Sequence, residues 1–267
     1  MDRSAELSLP TTRRRTRQRG RGIAVELAVL VFVFLVFSRA HNVLGTDHAA
    51  ATANALSLQG IERRLGIDIE LRGNQWLAAQ PASITAAVLT YRLYYLPLFV
   101  VLLWVLLRHN EIYPRVRNTV IAMAALAILI YWLVPMSPPR FALAGVVDIV
   151  AQNDLLDGNP SRDLSSGQNH YSAMPSLHVG WSALCAYAAW LALRKTHPRL
   201  SLLCWLFPLL MVCVVITTGN HYVLDVVGSA ILLLASIAAA LAFEQLRRAR
   251  RHRRSQKSDA PTVSDAA

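Results

Sequence analysis

The chain has 267 residues, of which 54% are hydrophobic and only 16% charged, and its mean hydropathy is positive. That apolar share exceeds what soluble domains carry, which excludes them and leaves one membrane domain. The net charge of +11 does not point to nucleic acid, because the basic residues gather in R-R-R-T-R-Q-R-G-R (13–21) and R-R-A-R-R-H-R-R (247–254), flanking the first and last apolar runs.

Six runs approach or reach the length of about 20 residues that a helix needs to cross the hydrocarbon core. They cover 22–40, 84–107, 118–136, 176–194, 200–217 and 223–245. An even count puts both termini on one side, and the positive-inside bias makes that side cytoplasmic. Residues 1–21 and 247–267 then form basic, disordered cytoplasmic tails around a membrane domain over 22–246. The first run is too long for a signal-peptide core and lacks a small-residue cleavage signature, so it is read as an uncleaved span. Within it, Glu26 is expected to reach the headgroups. All three cysteines fall inside spans and are read as small apolar groups.

Beyond the first run, Leu58, Ile61 and Leu65 recur at helical spacing while Glu62, Arg63 and Arg64 fall elsewhere, as in an amphipathic helix on the outer bilayer surface. Trp76 would sit at the interface. The second run holds T-Y-R-L-Y-Y-L-P, in which Pro97 kinks the helix and Arg92 either points into the bundle toward an anion or snorkels to the headgroups. The third ends in V-P-M-S-P-P-R, which leaves Arg140 at the outer surface with a planar fork suited to phosphate. A polar connection follows, with Asp148, Asp154, Asp157 and Asp163, a G-N-P turn, S-S-G and a short helix near Val146–Ala151.

That connection ends in N-H-Y-S-A-M-P-S-L-H-V-G-W. Pro175 and Ser176 suit the start of a helix, so His178 lies in its first turn, where main-chain N–H groups form an anion site. A histidine there can give a proton to a departing oxygen, or simply cap the helix. Of the others, His41, His48, His109, His197 and His252 are read as solvated, and His170 is left open. The fifth and sixth runs are joined by T-T-G-N-H-Y-V-L-D (217–225). If helix starts near Tyr222, His221 and Asp225 share a face, the carboxylate accepts the Nδ1–H, and Nε2 is free as a nucleophile. The alternative is a satisfied polar pair at a helix end.

Taken together, P-P-R (138–140), Y-S-A-M-P-S-L-H (171–178) and G-N-H-Y-V-L-D (219–225) resemble the three phosphate-site motifs of the type 2 phosphatidic acid phosphatase and haloperoxidase superfamily, nearest to its inositolphosphotransferase branch. The resemblance implies that His221 attacks phosphorus, Asp225 holds its tautomer, His178 protonates the leaving oxygen and Arg140 binds the phosphoryl oxygens. Ser176, Asn220 and Arg92 complete the expected phosphate site, and Arg92, Asn220 or main-chain N–H groups would compensate for two absent cations: the family's arginine is Val215 here and its lysine is Leu133. Leu177 also stands where glycine is usual. Asp148, in G-V-V-D, belongs to the same pattern without an assigned role.

The expectation is therefore an all-α, integral membrane bundle of six transmembrane helices with an amphipathic outer-surface helix. It would act on a lipid phosphate at the extracytoplasmic face, with water or an alcohol such as inositol or a lipid hydroxyl as acceptor. No cofactor, metal or nucleic acid enters this scheme. A non-catalytic lipid-phosphate binder or transporter is the second reading. A metal held by His178, His221 and Asp225 is the third.

Overall fold

The computed structural model describes residues 10–153 and 169–258, and side chains within 22–153 and 169–251. Asp154, Asp157, Asp163, the G-N-P turn and S-S-G lie outside the described residues, as does the side chain of His252. Among the described residues twelve helices follow in order: α1 (Pro10–Val43), α2 (His48–Leu65), α3 (Glu70–Ala78), α4 (Pro81–Arg92), α5 (Tyr95–Arg108), α6 (Tyr113–Leu133), α7 (Pro139–Ala142), α8 (Ile149–Gln152), α9 (Leu177–Leu193), α10 (Pro198–Leu203), α11 (Leu206–Thr217) and α12 (Val223–Ser258). The described residues hold no strand beyond one isolated bridge, Met136 to Ser172.

Among the described residues four stretches are long and apolar enough to cross a membrane: Gly22–Val43, Tyr113–Leu133, Pro198–Thr217 and Val223–Arg251. A fifth arises if α4 and α5 are one span, bent by 45° at Leu93–Tyr94. The bend has the expected cause one turn later, since Pro97 has no N–H to return to Leu93 and its ring crowds that carbonyl. α9 is apolar but has only 17 residues, short of the usual span of about 20.

These helices place large apolar side chains outward. Phe32, Val100 and Leu234 are 66%, 66% and 67% exposed, a surface that water would not tolerate and lipid would. The several apolar helices mark a membrane protein. Inside, Leu102, Val105, Met123, Leu184 and Leu232 form the main core between α5, α6, α9 and α12. α6 is the central post. Its Arg117 donates to Glu26 of α1 at 2.7 Å, and its Arg115 lies 3.1 Å from Glu244 of α12. Glu26 is thus an ion-pair partner and does not turn to the headgroups, because burial beside Arg117 offers a charge-assisted bond.

Helix extends into both basic segments expected to be disordered, back to Pro10 and on to Ser258. Arginine is a good helix former, so the i to i−4 ladder runs on from the apolar stretch.

The expected helix is present, but Leu58 and Glu62 turn into the bundle and only Ile61 and Leu65 of the apolar set face outward. Asp47 caps α2 by accepting from the Ala50 N–H, and Gly66 closes it at φ +68. The buried stripe is Ala51, Ala55, Leu58 and Glu62, whereas Ile61 and Leu65 are 48% and 62% exposed. Small alanines let α2 lie close against the bundle, and the larger apolar residues face outward to lipid.

Candidate active site

Three connections converge under α2 and α3. The segment after α6 pairs with the segment before α9, as Met136 N–H donates to Tyr171 O at 2.7 Å and Ala173 N–H to Met136 O at 3.0 Å. α11 ends in a left-handed turn at Gly219, φ +74, where a Cβ would stand 2.6 Å from Val146 Cγ1. Only glycine passes there without strain. The turn brings the Asn220 and His221 N–H groups onto the Val215 carbonyl, at 3.0 and 3.2 Å. The third connection, 143–148, is held by Asn74 of α3, which accepts from Val147 N–H at 2.7 Å and donates to the Val147 and Thr217 carbonyls at 2.9 and 3.1 Å.

On this frame His221 is 5% exposed and directs Nδ1 at two acceptors, the Ala173 carbonyl at 2.8 Å and Asp225 Oδ2 at 3.3 Å. Both accept, so the proton sits on Nδ1 and the Nε2 lone pair is free. Asp225 is fully buried and also accepts the Tyr222 N–H at 2.8 Å. His178 lies in the first turn of α9 and stacks on Tyr91 with ring centroids 4.0 Å apart, with Tyr94 at 4.2 Å. Its ring centroid is 5.7 Å from that of His221.

Arg140 donates to Asn220 Oδ1, its Nε lies 3.3 Å from Asp148 Oδ2, and its main-chain N–H donates to Gly219 O at 2.9 Å. Asn220 Oδ1 also accepts from Tyr91 O–H at 3.1 Å. Asp148, which had no assigned role, is buried, caps α8 through Ala151 N–H and orients the arginine fork.

These groups line one cavity of about 620 Å³, shared by His221, His178, Asn220, Arg140 and Arg92. Ser176 does not line it. That residue is fully buried, caps α9 through Val179 N–H, and its carbonyl accepts from Ser229 at 2.7 Å. His41, expected in solvent, does line the cavity, with Nε2 2.8 Å from Ser172 Oγ. The C-terminal end of α1 carries it over the site. His170 lines the cavity as well. The far wall is aromatic, formed by Phe34 and Phe37 of α1 and by Tyr95 and Phe99 of α5. Among the described residues no three His, Cys, Asp or Glu side chains are grouped to hold a metal ion.

A family model described as the PAP2 superfamily matches residues 56–239, more than half of the chain and all three motifs. The chain belongs to the PAP2 superfamily. No curated protein and no solved structure matches it. Membership in the PAP2 superfamily points to phosphatase-type activity. Two positions depart from the usual PAP2 site. Val215 is fully buried in an apolar cluster with Met211, Val214 and Ile216, and Leu133 is 60% exposed and does not line the cavity. Arg92 and Arg140 both line the cavity.

Sequence reading missed Glu62, Glu70, Asn74 and His41. For Glu62 a signal existed, since it continues the Ala51, Ala55, Leu58 stripe at steps of four, three and four. For Asn74 and His41 there was none, because their partners lie far away along the chain.

Proposed function

We propose that this PAP2 chain is a membrane phosphatase or phosphotransferase that moves a phosphoryl group from a lipid phosphate through a phosphohistidine on His221. The observation that carries the reading is the double anchoring of His221 Nδ1, which leaves Nε2 toward a cavity shared with His178 and Arg140. Two in-line displacements follow. Nε2 attacks phosphorus while His178 gives a proton to the leaving oxygen, and His178 then takes one from the acceptor. The ring separation of 5.7 Å suits reacting atoms that approach to about 3–3.5 Å on each side of one phosphorus. Arg140, with Arg92 and the start of α9, stabilises the equatorial oxygens.

A lipid donor is favoured by the aromatic wall, which adjoins the cationic end and reaches the outward surface at Phe34 and Phe99, 54% and 46% exposed. An alkyl chain would pass from the cavity into the bilayer between α1 and α5 while its headgroup stays in the cavity. The basic tails favour cytoplasmic termini and a site at the extracytoplasmic face. Counting the bent pair and α9 as spans would bring the total to six. The motif likeness favours transfer to an alcohol, as in the inositolphosphotransferase branch.

The test is to mix purified protein with a ³²P-labelled lipid phosphate, quench, and recover acid-labile phosphate on His221. Wild type should be labelled and His221→Ala should not. Adding inositol or ceramide then separates hydrolysis from transfer by product. The absence of cations at Val215 and Leu133 favours a second reading, a lipid-phosphate binder. Such a protein would bind its ligand equally well with His221→Ala and never be labelled.

A further inference from the structure

The first turn of α12 presents three successive main-chain N–H groups, and each goes to a different carboxyl. Tyr222 N–H donates to Asp225 Oδ2 at 2.8 Å, Val223 N–H to Glu70 Oε1 at 3.0 Å and Leu224 N–H to Glu62 Oε1 at 2.7 Å. These donors have no partner within the helix, and the positive end of the helix dipole favours acceptors with negative charge. Glu62 and Glu70 are 0% and 1% exposed. They come from α2 and α3, the helices that lie across the three converging connections. A buried glutamate is costly unless something holds it.

We propose that Glu62 and Glu70 are positioning residues that share one proton and, through it, clamp the start of α12 so that His221 and Asp225 keep their register in the site. Glu62 Oε1 takes the Leu224 N–H, while its Oε2 is buried with no donor of its own and faces the Glu70 carboxyl, where two ionised carboxylates would repel. The groups facing Glu62 are Glu70 on α3 and Tyr222 and Asp225 at the start of α12. Arg140, on α7 beside α2, is already engaged by Asp148 and Asn220. Burial, and then the charges of Glu70 and Asp225, push the Glu62 carboxyl up to about 8 against the opposing bond from Leu224. The proton is thus held at neutral pH. Its loss would set a second full charge against Glu70 and Asp225 and loosen the helix start. The kinetic part of this inference rests on the phosphohistidine reading, whereas the shared proton does not.

Full-length protein in detergent micelles tests both parts, with dioctanoyl phosphatidic acid as the probe. The folded carboxyl binds its proton more tightly than the unfolded one, so Glu62 contributes stability at low pH that is lost as pH rises toward about 8. The wild-type Tm should therefore fall between pH 5 and 8 relative to E62Q, in which the amide is permanently neutral yet still accepts from Leu224. On the same grounds kcat of wild type should drop above pH 8, and this limb should be lost in E62Q. E62A, which removes the acceptor, should lower kcat at least about tenfold with KM within about twofold, and Gln should rescue it. Superimposable Tm and kcat profiles for wild type and E62Q overturn the proposal. So does an E62A variant with wild-type kcat. A wild type that leaves the probe intact sinks the phosphohistidine reading instead, and the melting curves then decide the shared proton alone.

Discussion

His221 gives its Nδ1–H to two acceptors, and the shorter contact is to the carbonyl of Ala173, not to Asp225. A main-chain carbonyl cannot lose its acceptor character, so it secures the tautomer without help from the carboxylate. What Asp225 adds is charge opposite an imidazolium, together with a cap for Tyr222. Asp225→Asn should then lower kcat by about 10–10²-fold, short of the ~10⁴ seen in catalytic triads where the carboxylate alone sets the tautomer. Phosphate should still be trapped on His221. Steady-state kinetics and acid-quench labelling of the same preparation check this, and a loss of all labelling would show that the carbonyl does not suffice. The i, i+4 pair was legible in the sequence because helix geometry makes it local. The carbonyl was not, since it arrives from 48 residues upstream through the Met136 to Ser172 bridge.

At the scale of elements, the site depends on one turn between α11 and α12. Gly219 has φ +74, and a methyl group there would meet Val146 at 2.6 Å and Asn74 at 3.1 Å. Gly219→Ala should cost about 1–3 kcal/mol from backbone strain alone, with the clash in addition. The expected outcome is a lower Tm in detergent and a fall in kcat larger than the change in KM, because Asn220 and His221 follow the turn. A variant with wild-type Tm and kcat would show that the connection adapts. The sequence marked this stretch as a polar break but could not show what packs on it. The burial of Glu62 on α2 has the same origin. Hydropathy separates apolar from polar residues, but in a membrane the larger apolar side chains face lipid, and a buried glutamate is retained where it caps another helix.

For the whole molecule, the cavity joins a cationic end made by three connections to an aromatic end made by α1 and α5. Phe34 and Phe99 meet across the mouth with ring centroids 6.1 Å apart. If the donor's chain passes there, enlarging either ring should discriminate by chain length and not by headgroup. Phe34→Trp or Phe99→Trp should lower kcat/KM for a long-chain phosphatidic acid about tenfold relative to its dioctanoyl form, the scale of one ill-fitting group in an apolar pocket. Paired kinetics in mixed micelles measure the ratio, and an unchanged ratio would remove this route of entry. α1 reaches the mouth because Glu26 ties it to Arg117 of α6.

Composition alone determined that this is a helical membrane protein, because hydrocarbon-length apolar runs have no other stable fate in lipid. Motif order and spacing singled out His178, His221 and Arg140, which the fold brings to one cavity, since helix periodicity and cap residues act over a few positions. Only the tertiary structure decided which buried groups hold that chemistry in place: the Ala173 carbonyl on His221, Asp148 on Arg140, Asn74 between two connections, and Glu62 with Glu70 on α12. Each of these contacts joins segments that are adjacent only after folding, and a buried hydrogen bond between distant residues leaves no period in the chain.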